Sequence, residues 1–388
     1  MTVLATDLGR PRTVSWPLVL LTLGLFAVLQ LGISGATGGD VAHALTATIG
    51  LGIGVTLLSA EFGFAVAFRR AAEARDFSIF RAHFLMFALA LPLMVPAVAA
   101  GAVLGMPVSG FATPVGPAFM LGALLFGIGM QLAGGCASGT LYLLGGGNAK
   151  FIGTLAGFIF GSVLGAAHMG FWWSLPALPP ITLFSLGPWP LTLALELAGL
   201  FGLSRLIRRA TPHSQPLPRR LVAGAIALAL LNGATLLAAG HPWSETWGFA
   251  LWGSKLAADL GFHPETWAFW SDGRSLYASI FADTTSIMDM SIILGALLAG
   301  GLTRRFAWRL GGSLRAWLAA ALGGVMMGYG ARLSGGCNIG AYFSSIVSGD
   351  LSGWVWCALA LPGSALGLRL RRVIEAGGGL AQRCQIPR

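Results

Sequence analysis

Gly134-Gly135-Cys136-Ala137-Ser138-Gly139 and Gly335-Gly336-Cys337-Asn338-Ile339-Gly340 are two copies of one motif, 201 residues apart. Shifting the chain by that distance lays Leu121–Gly139 on Leu322–Gly340, and nine of the 19 positions are identical. Glycine, 57 of 388 residues, is common enough to align by chance. Two of only four cysteines do not easily fall in the same G-G-C-x-x-G frame that way, so the frame reads as an internal duplication. In each copy the glycine-dense turn follows about 15 apolar residues, fewer than the ~20 that a straight bilayer span needs. A broken or re-entrant helix ending at the cysteine accounts for this. Irregular backbone at such depth is tolerated only where protein or a water-lined cavity covers it.

The rest of the chain places the motif in a membrane. It is 55% hydrophobic and 10% charged, with a mean hydropathy of +0.77. Soluble domains carry about a quarter charged residues, which excludes a water-soluble enzyme. Apolar runs are expected as spans at Trp16–Ile33, Ala42–Phe68, Ala82–Val103, Pro117–Leu132, Phe151–Met169, Leu186–Leu206, Leu221–Ala239, Thr285–Leu302, Ala316–Leu333 and Leu351–Leu368. The fold class is therefore an all-α polytopic membrane protein.

The net charge of +10 invites a nucleic-acid partner, but its distribution argues against one. The basic clusters Arg69-Arg70-Arg75-Arg81, Arg205-Arg208-Arg209-Arg219-Arg220, Arg304-Arg305-Arg309-Arg315 and Arg369-Arg371-Arg372 mark the cytoplasmic ends of spans. The joints between them hold mainly acids: Asp40, Glu245, Asp259, Glu265 and Asp272. Both termini are then cytoplasmic, and anionic lipid headgroups are the partners of the basic surface. Parity makes the helix before Cys136 run inward and the helix before Cys337 run outward. That is an inverted-repeat helical bundle, the architecture that places a site at the midplane between its halves.

The chain divides into an N-terminal cytoplasmic segment with the first span (1–41), a first repeat (42–170), connecting spans with an external Trp-rich segment (171–280), a second repeat (281–370) and a basic cytoplasmic tail (371–388). Trp243, Trp247, Trp252, Trp267 and Trp270 suit a helix lying at headgroup level.

Chemically, Gly135, Gly139, Gly336 and Gly340 let backbone approach backbone, or a ligand, closely. A half-helix starting after each cysteine would face an anion with its free N–H groups. Cys136 and Cys337 are thiols near neutral pH, weak and soft donors suited to a sulfur-bearing anion. Ser138 and Asn338 stand beside them, and Asn338 either donates an amide N–H to the anion or caps the half-helix. Arg332, a charge inside a motif helix with Gln131 as its counterpart, either attracts a dianion or pairs with an acid such as Asp289. Packing accounts for Cys357, and Glu196, centred in a span, either hydrogen-bonds a neighbouring helix or takes part in proton coupling. Capping and headgroup solvation account for Asp283 and Asp289, and His43 and His168 lie near span ends. Cys384 falls in the basic tail. Four cysteines without a CxxC argue against a zinc or thioredoxin-like motif, and no metal or organic cofactor is implied.

The stretches Phe126–Gly129 through Gly135–Gly139, Asp283–Asp289, Met327–Arg332 through Gly336–Ala341, and Ser348-Gly349 followed by Gly353-Trp354 resemble the YeeE/YedE family of sulfur-transport-domain membrane proteins. The resemblance implies uptake of thiosulfate by a relay of cysteine thiols that includes Cys136 and Cys337. It also implies a bacterial inner membrane as the setting and docking of a small cytoplasmic sulfur-carrier protein. The family's third cysteine, in a Phe-Cys-Phe segment, is replaced here by Gly63 in Phe62-Gly63-Phe64, followed by Arg69. That departure leaves open another sulfur- or selenium-containing species, and a membrane enzyme acting on thiols or sulfane sulfur stands as the alternative.

Overall fold

A computed structural model describes residues 14–210, 216–304 and 306–376. Arg10 and Arg12 of the N-terminal segment, Arg305, and residues 377–388 of the tail with Cys384 lie outside the described residues.

The helices are α1 (Trp16–Thr37), α2 (Val41–Ala60), α3 (Phe64–Ala74), α4 (Ser78–Ala100), α5 (Pro117–Ala133), α6 (Ala137–Gly145), α7 (Lys150–Ala167) and α8 (Met169–Trp173). They continue with α9 (Trp189–Ala210), α10 (Arg219–Ala239), α11 (Thr246–Asp259), α12 (Arg274–Tyr277), α13 (Thr284–Thr303), α14 (Leu314–Leu333), α15 (Ser345–Val347) and α16 (Ser352–Ala376). A π-helical turn, Asn338–Ser344, leads into α15. The described strands are one hairpin, Ala102–Val103 against Met106–Pro107. Eight units are long and apolar enough to cross a bilayer: α1, α2 with α3, α4, α5 with α6, α7, α9, α10 and α13. The last two expected spans form α14 and α16, which fall outside those eight.

Two breaks organise the bundle. The run expected as one span from Ala42 to Phe68 is two helices, because Glu61 turns left-handed (φ 53°) and Gly63 is extended at the N-cap of α3. Its counterpart separates α10 from α11, where Gly240 closes α10 in the left-handed region (φ 74°).

The packing repeats in mirrored form. α2 packs on α13 as α10 packs on α4; α7 packs on α14 as α5 packs on α16; α3 packs on α16 as α11 packs on α7; and α1 packs on α13 as α9 packs on α4. α5 meets α14, its own counterpart, and α2 meets α10. Direction follows from register. Gly122 lies against the Gly330 carbonyl and Gly129 against that of Gly323, so α5 and α14 are antiparallel. Gly157 meets the Ala321 carbonyl and Gly161 that of Val325, so α7 and α14 are parallel. Antiparallel counterparts with parallel cross-pairs are the signature of an inverted repeat, and the correspondence reaches back to α1 and α9. In lipid, such helices hold together through small residues that bring backbones into contact.

The basic clusters gather at one end of the bundle. Arg220 pairs with Glu61 at 2.6 Å and Arg372 with Glu73 at 3.3 Å. Asn148 bridges Arg309 through the backbone, and Arg81 and Arg208 line one cavity. These exposed pairs contribute little stability. Their value is that they join the end of α2 to the start of α10, and α3 to α16, at one surface.

The Trp-rich stretch departs from expectation. α11 enters the bundle rather than lying at headgroup level, and Trp243 and Trp270 are buried. A Cβ on Gly253 would stand 2.4 Å from Val163 Cγ2, so the small face of α11 packs directly on α7.

Candidate functional site

Each G-G-C turn is shaped by its glycines. Gly134 caps α5 in the left-handed region (φ 83°), and Gly335 and Gly336 follow α14 at φ 74° and 152°. Glycine enters that region without the Cβ clash that penalises other residues. The chain then enters short helical segments whose N-caps are the cysteines: Cys136 for α6 and Cys337 for the π-helical turn. Both are buried, at 1% exposure, and both belong to the main core. Cys136 Sγ lies 3.3 Å from Ser138 Oγ, while Cys337 Sγ accepts from the Ile339 N–H at 3.4 Å. π-turns of this kind recur at functional sites.

Gly335 supports a direct prediction. A Cβ there would meet Thr113 Oγ1 at 2.8 Å, in a conformation L-residues rarely adopt. Gly335→Ala is expected to cost about 1–2 kcal/mol from the left-handed backbone alone. A lowered melting temperature of the detergent-solubilised protein checks this; an unchanged one would refute the strained turn.

The group between the two motifs is Glu245, expected from the sequence as an exposed acid on an outer joint. It is completely buried. The Cys337 thiol donates to its Oε2 at 3.5 Å, and its carboxyl faces the Ser138 backbone N–H of the other motif. Its approach is fixed by neighbours: the Trp243 N–H donates to Asn232 Oδ1 at 3.2 Å, and Ser344 Oγ donates to the Trp243 carbonyl at 2.7 Å. Glu245 is the N-cap of α11 as Gly63 is the N-cap of α3, so the two hold corresponding places in the repeats. At Gly63 a side chain would meet Val66 Cγ2 at 3.0 Å and Tyr142 Oη at 3.2 Å. Sequence reading missed Glu245 because its neighbours resemble an exterior joint. The signal available was positional: an acid just ahead of a helix whose counterpart opens at Phe62-Gly63-Phe64.

A polar cavity of about 380 Å³ opens beside the second turn, lined by Ser109, His241, Ser244, Asp283, Arg332 and Gly335 among others. Ser244 Oγ would lie 3.2 Å from a Cβ on Gly340, so the cavity ends close to the Cys337 turn. Arg332 also borders a second, more apolar cavity. Its guanidinium lies 5.5 Å from the centre of the Phe269 ring, and its Nε has no hydrogen-bond partner. The expected alternative, a pair with Asp289, is not formed. Gln131 instead donates to the Ala65 carbonyl at 3.2 Å. At the basic end, a Cβ on Gly134 would stand 3.5 Å from both Arg371 Nη1 and Lys150 Nζ, and Arg69 interacts with Arg371 and Tyr142.

Other residues sort themselves by contact. Asn338 is buried with neither amide atom hydrogen-bonded, so it does not cap the turn; Cys337 does. Trp354 Nε1 donates to Glu196 at 2.9 Å, the inter-helix bond expected there. Asp283 caps α13 by accepting from the Ser286 N–H at 2.8 Å. Asp289, expected near headgroup level, is instead fully buried. Cys357 interacts with the Tyr342 hydroxyl in the core. Among the described residues, no three His, Cys, Asp or Glu side chains converge as a metal site.

Comparison with known proteins adds the family. Residues 59–366 match the sulphur transport family. The thiosulfate transporter TsuA of Spirochaeta thermophila is 26% identical over 61% of this chain and 72% of its own length. The thiosulfate transporter TsuA of Escherichia coli K12 is 26% identical over 72% of this chain and 82% of its own. The probable transporter YedE of the same bacterium is 29% identical over 40% of this chain and 37% of its own.

Proposed function

We propose that this chain, which belongs to the sulphur transport family, carries a sulfur-bearing anion, thiosulfate first, between its two G-G-C turns. The observation that carries the reading is the placement of two buried thiols at the N-caps of mirrored half-helices. Helix N-termini offer unpaired N–H groups to an anion, and a thiol is a weak, soft donor matched to a sulfur terminus. The small residues Gly135, Ser138, Gly139, Gly336 and Gly340 let backbone approach such a guest closely, and Asn338 has an unpartnered amide to offer it.

Arg332 in the polar cavity attracts the anion at one mouth. Lys150, Arg371 and Arg69 stand near the other. With the basic end read as cytoplasmic from the distribution of arginines, the polar cavity is the outer mouth, and the start of α1 and the end of α16 face inside. The basic face would dock a small sulfur-carrier protein that receives the cargo. The names of the relatives support transport rather than enzymatic turnover.

The test is uptake of labelled thiosulfate in a bacterium lacking its own sulfate and thiosulfate importers. Saturable uptake that unlabelled thiosulfate suppresses and sulfate does not is the expected result. No uptake by protein that is folded and inserted would refute thiosulfate as cargo and turn the search to other sulfur or selenium species.

A further inference from the structure

Two acids lie deep in the second half of the bundle with nothing to neutralise them. Glu245 and Asp289 are each fully buried. Glu245 Oε1 and both carboxyl oxygens of Asp289 lack a hydrogen-bond partner. They are neighbours. Asp289 Oδ2 would lie 2.8 Å from a Cβ on Gly248, in the first turn of the helix that Glu245 caps, and the two carboxyls interact through space. Taking an isolated carboxylate out of water costs several kcal/mol or more, so such groups persist only with a partner or a proton.

The surroundings supply no standing partner. From α14 and the turn after it come Arg332, which lies against Phe269, and Cys337, the donor to Glu245. Around α6 stand Cys136 and Tyr142. α13 itself brings Asp283, already occupied as a helix cap. α2 brings His43, which is paired with Asp40 and bonded to the Ala282 carbonyl. Lys255 of α11 is bonded to the Leu276 carbonyl, Arg274 of α12 is exposed, and His241 on the preceding loop bonds the Pro242 carbonyl. A sodium ion is a poor alternative. Hard cations collect several oxygen ligands, whereas the nearest polar partner of Glu245 is a thiol.

We propose that Glu245, assisted by Asp289, is the proton-carrying site of a proton-coupled anion carrier. This rests on the transport reading above. An anion held at the Cys337 thiol stands next to a carboxyl 3.5 Å from that sulfur. Two like charges at that range in a dry site repel strongly. The closed site therefore accepts the anion with Glu245 already in its acid form, the proton having been taken from the outer cavity. When the anion moves on past Cys136 and water reaches the carboxyl from the cytoplasmic side, the proton leaves to that side and the hydrated carboxylate returns. Asp289 holds the same proton in exchange with Glu245, or a second one.

The experiment uses the full chain in proteoliposomes with a trapped pH dye. Membrane potential is clamped with potassium and valinomycin, and the buffers contain no sodium. Adding thiosulfate outside should acidify the lumen of wild-type vesicles in step with labelled uptake. Lowering external pH by one unit should raise the initial rate several-fold. Glu245→Gln, which preserves shape, should sever the two, leaving thiosulfate exchange without acidification; Asp289→Asn should weaken the coupling. Wild-type uptake without acidification, or uptake that requires sodium, overturns the proposal and leaves the transport reading standing. The wild-type measurement decides this even if a variant fails to fold. No thiosulfate movement in wild-type vesicles would overturn both.

Discussion

Cys337→Ala is expected to reduce thiosulfate uptake roughly tenfold or more, with the protein still folded and inserted. The side chain is small, buried and surrounded by glycine, so its loss removes one atom and little packing area. What disappears is a donor in the path. Hydrogen bonds to charged groups contribute about 1.5–3 kcal/mol, and the low end, fitting for a weak thiol donor, corresponds to about tenfold in rate or affinity. Cys337→Ser separates donor from softness: a hydroxyl restores hydrogen bonding but not the match to sulfur, and should recover only part of the rate. Cys136→Ala should cause a loss of the same kind. Initial rates of labelled thiosulfate uptake, normalised to protein in the membrane, decide the matter. Full activity in the double alanine variant would exclude a thiol relay.

The second large effect is structural. At the α2–α13 contact, a Cβ on Gly295 would stand 2.0 Å from the Leu51 carbonyl oxygen, and one on Gly54 would stand 2.1 Å from that of Ile292. The atoms in the way are backbone, so neither helix relieves the clash without moving as a whole. Overpacking a tight core costs about 1–3 kcal/mol, occasionally more. Gly295→Leu is expected at or beyond the top of that range, with most of the folded protein lost. Gly199→Ala on α9, where nothing lies within 4 Å, is expected to be harmless. Thermal melting of the two variants, followed by size-exclusion profile in detergent, compares them directly. Equal stability would contradict the close approach of α2 and α13.

Much of the candidate site was legible before any coordinates. The G-G-C frames identified both thiols and the turns that hold them, because only glycine enters the left-handed region freely at Gly134 and Gly335. The antiparallel course of α5 and α14 followed from counting spans. The break at Glu61–Gly63 was not legible, since an apolar run looks the same whether its helix continues or stops. Of the two roles open to Asn338, the cap is not the one formed, because Cys337 Sγ, one residue earlier, takes the Ile339 N–H.

The division between the two levels has a physical basis. Sequence by itself determined that the chain is a helical membrane protein duplicated and inverted around two cysteines, because hydropathy, charge placement and glycine spacing are local properties. Tertiary structure alone decided that Glu245 and Asp289 meet in the interior. They are 44 positions apart, and an acid on a short joint is indistinguishable in sequence from one at a headgroup. Only the packing of α11 against α7 and α13 draws both out of water. Burial depends on what covers a residue, and what covers Glu245 comes from the other end of the chain's fold: Cys337 on one side and Ser138 on the other.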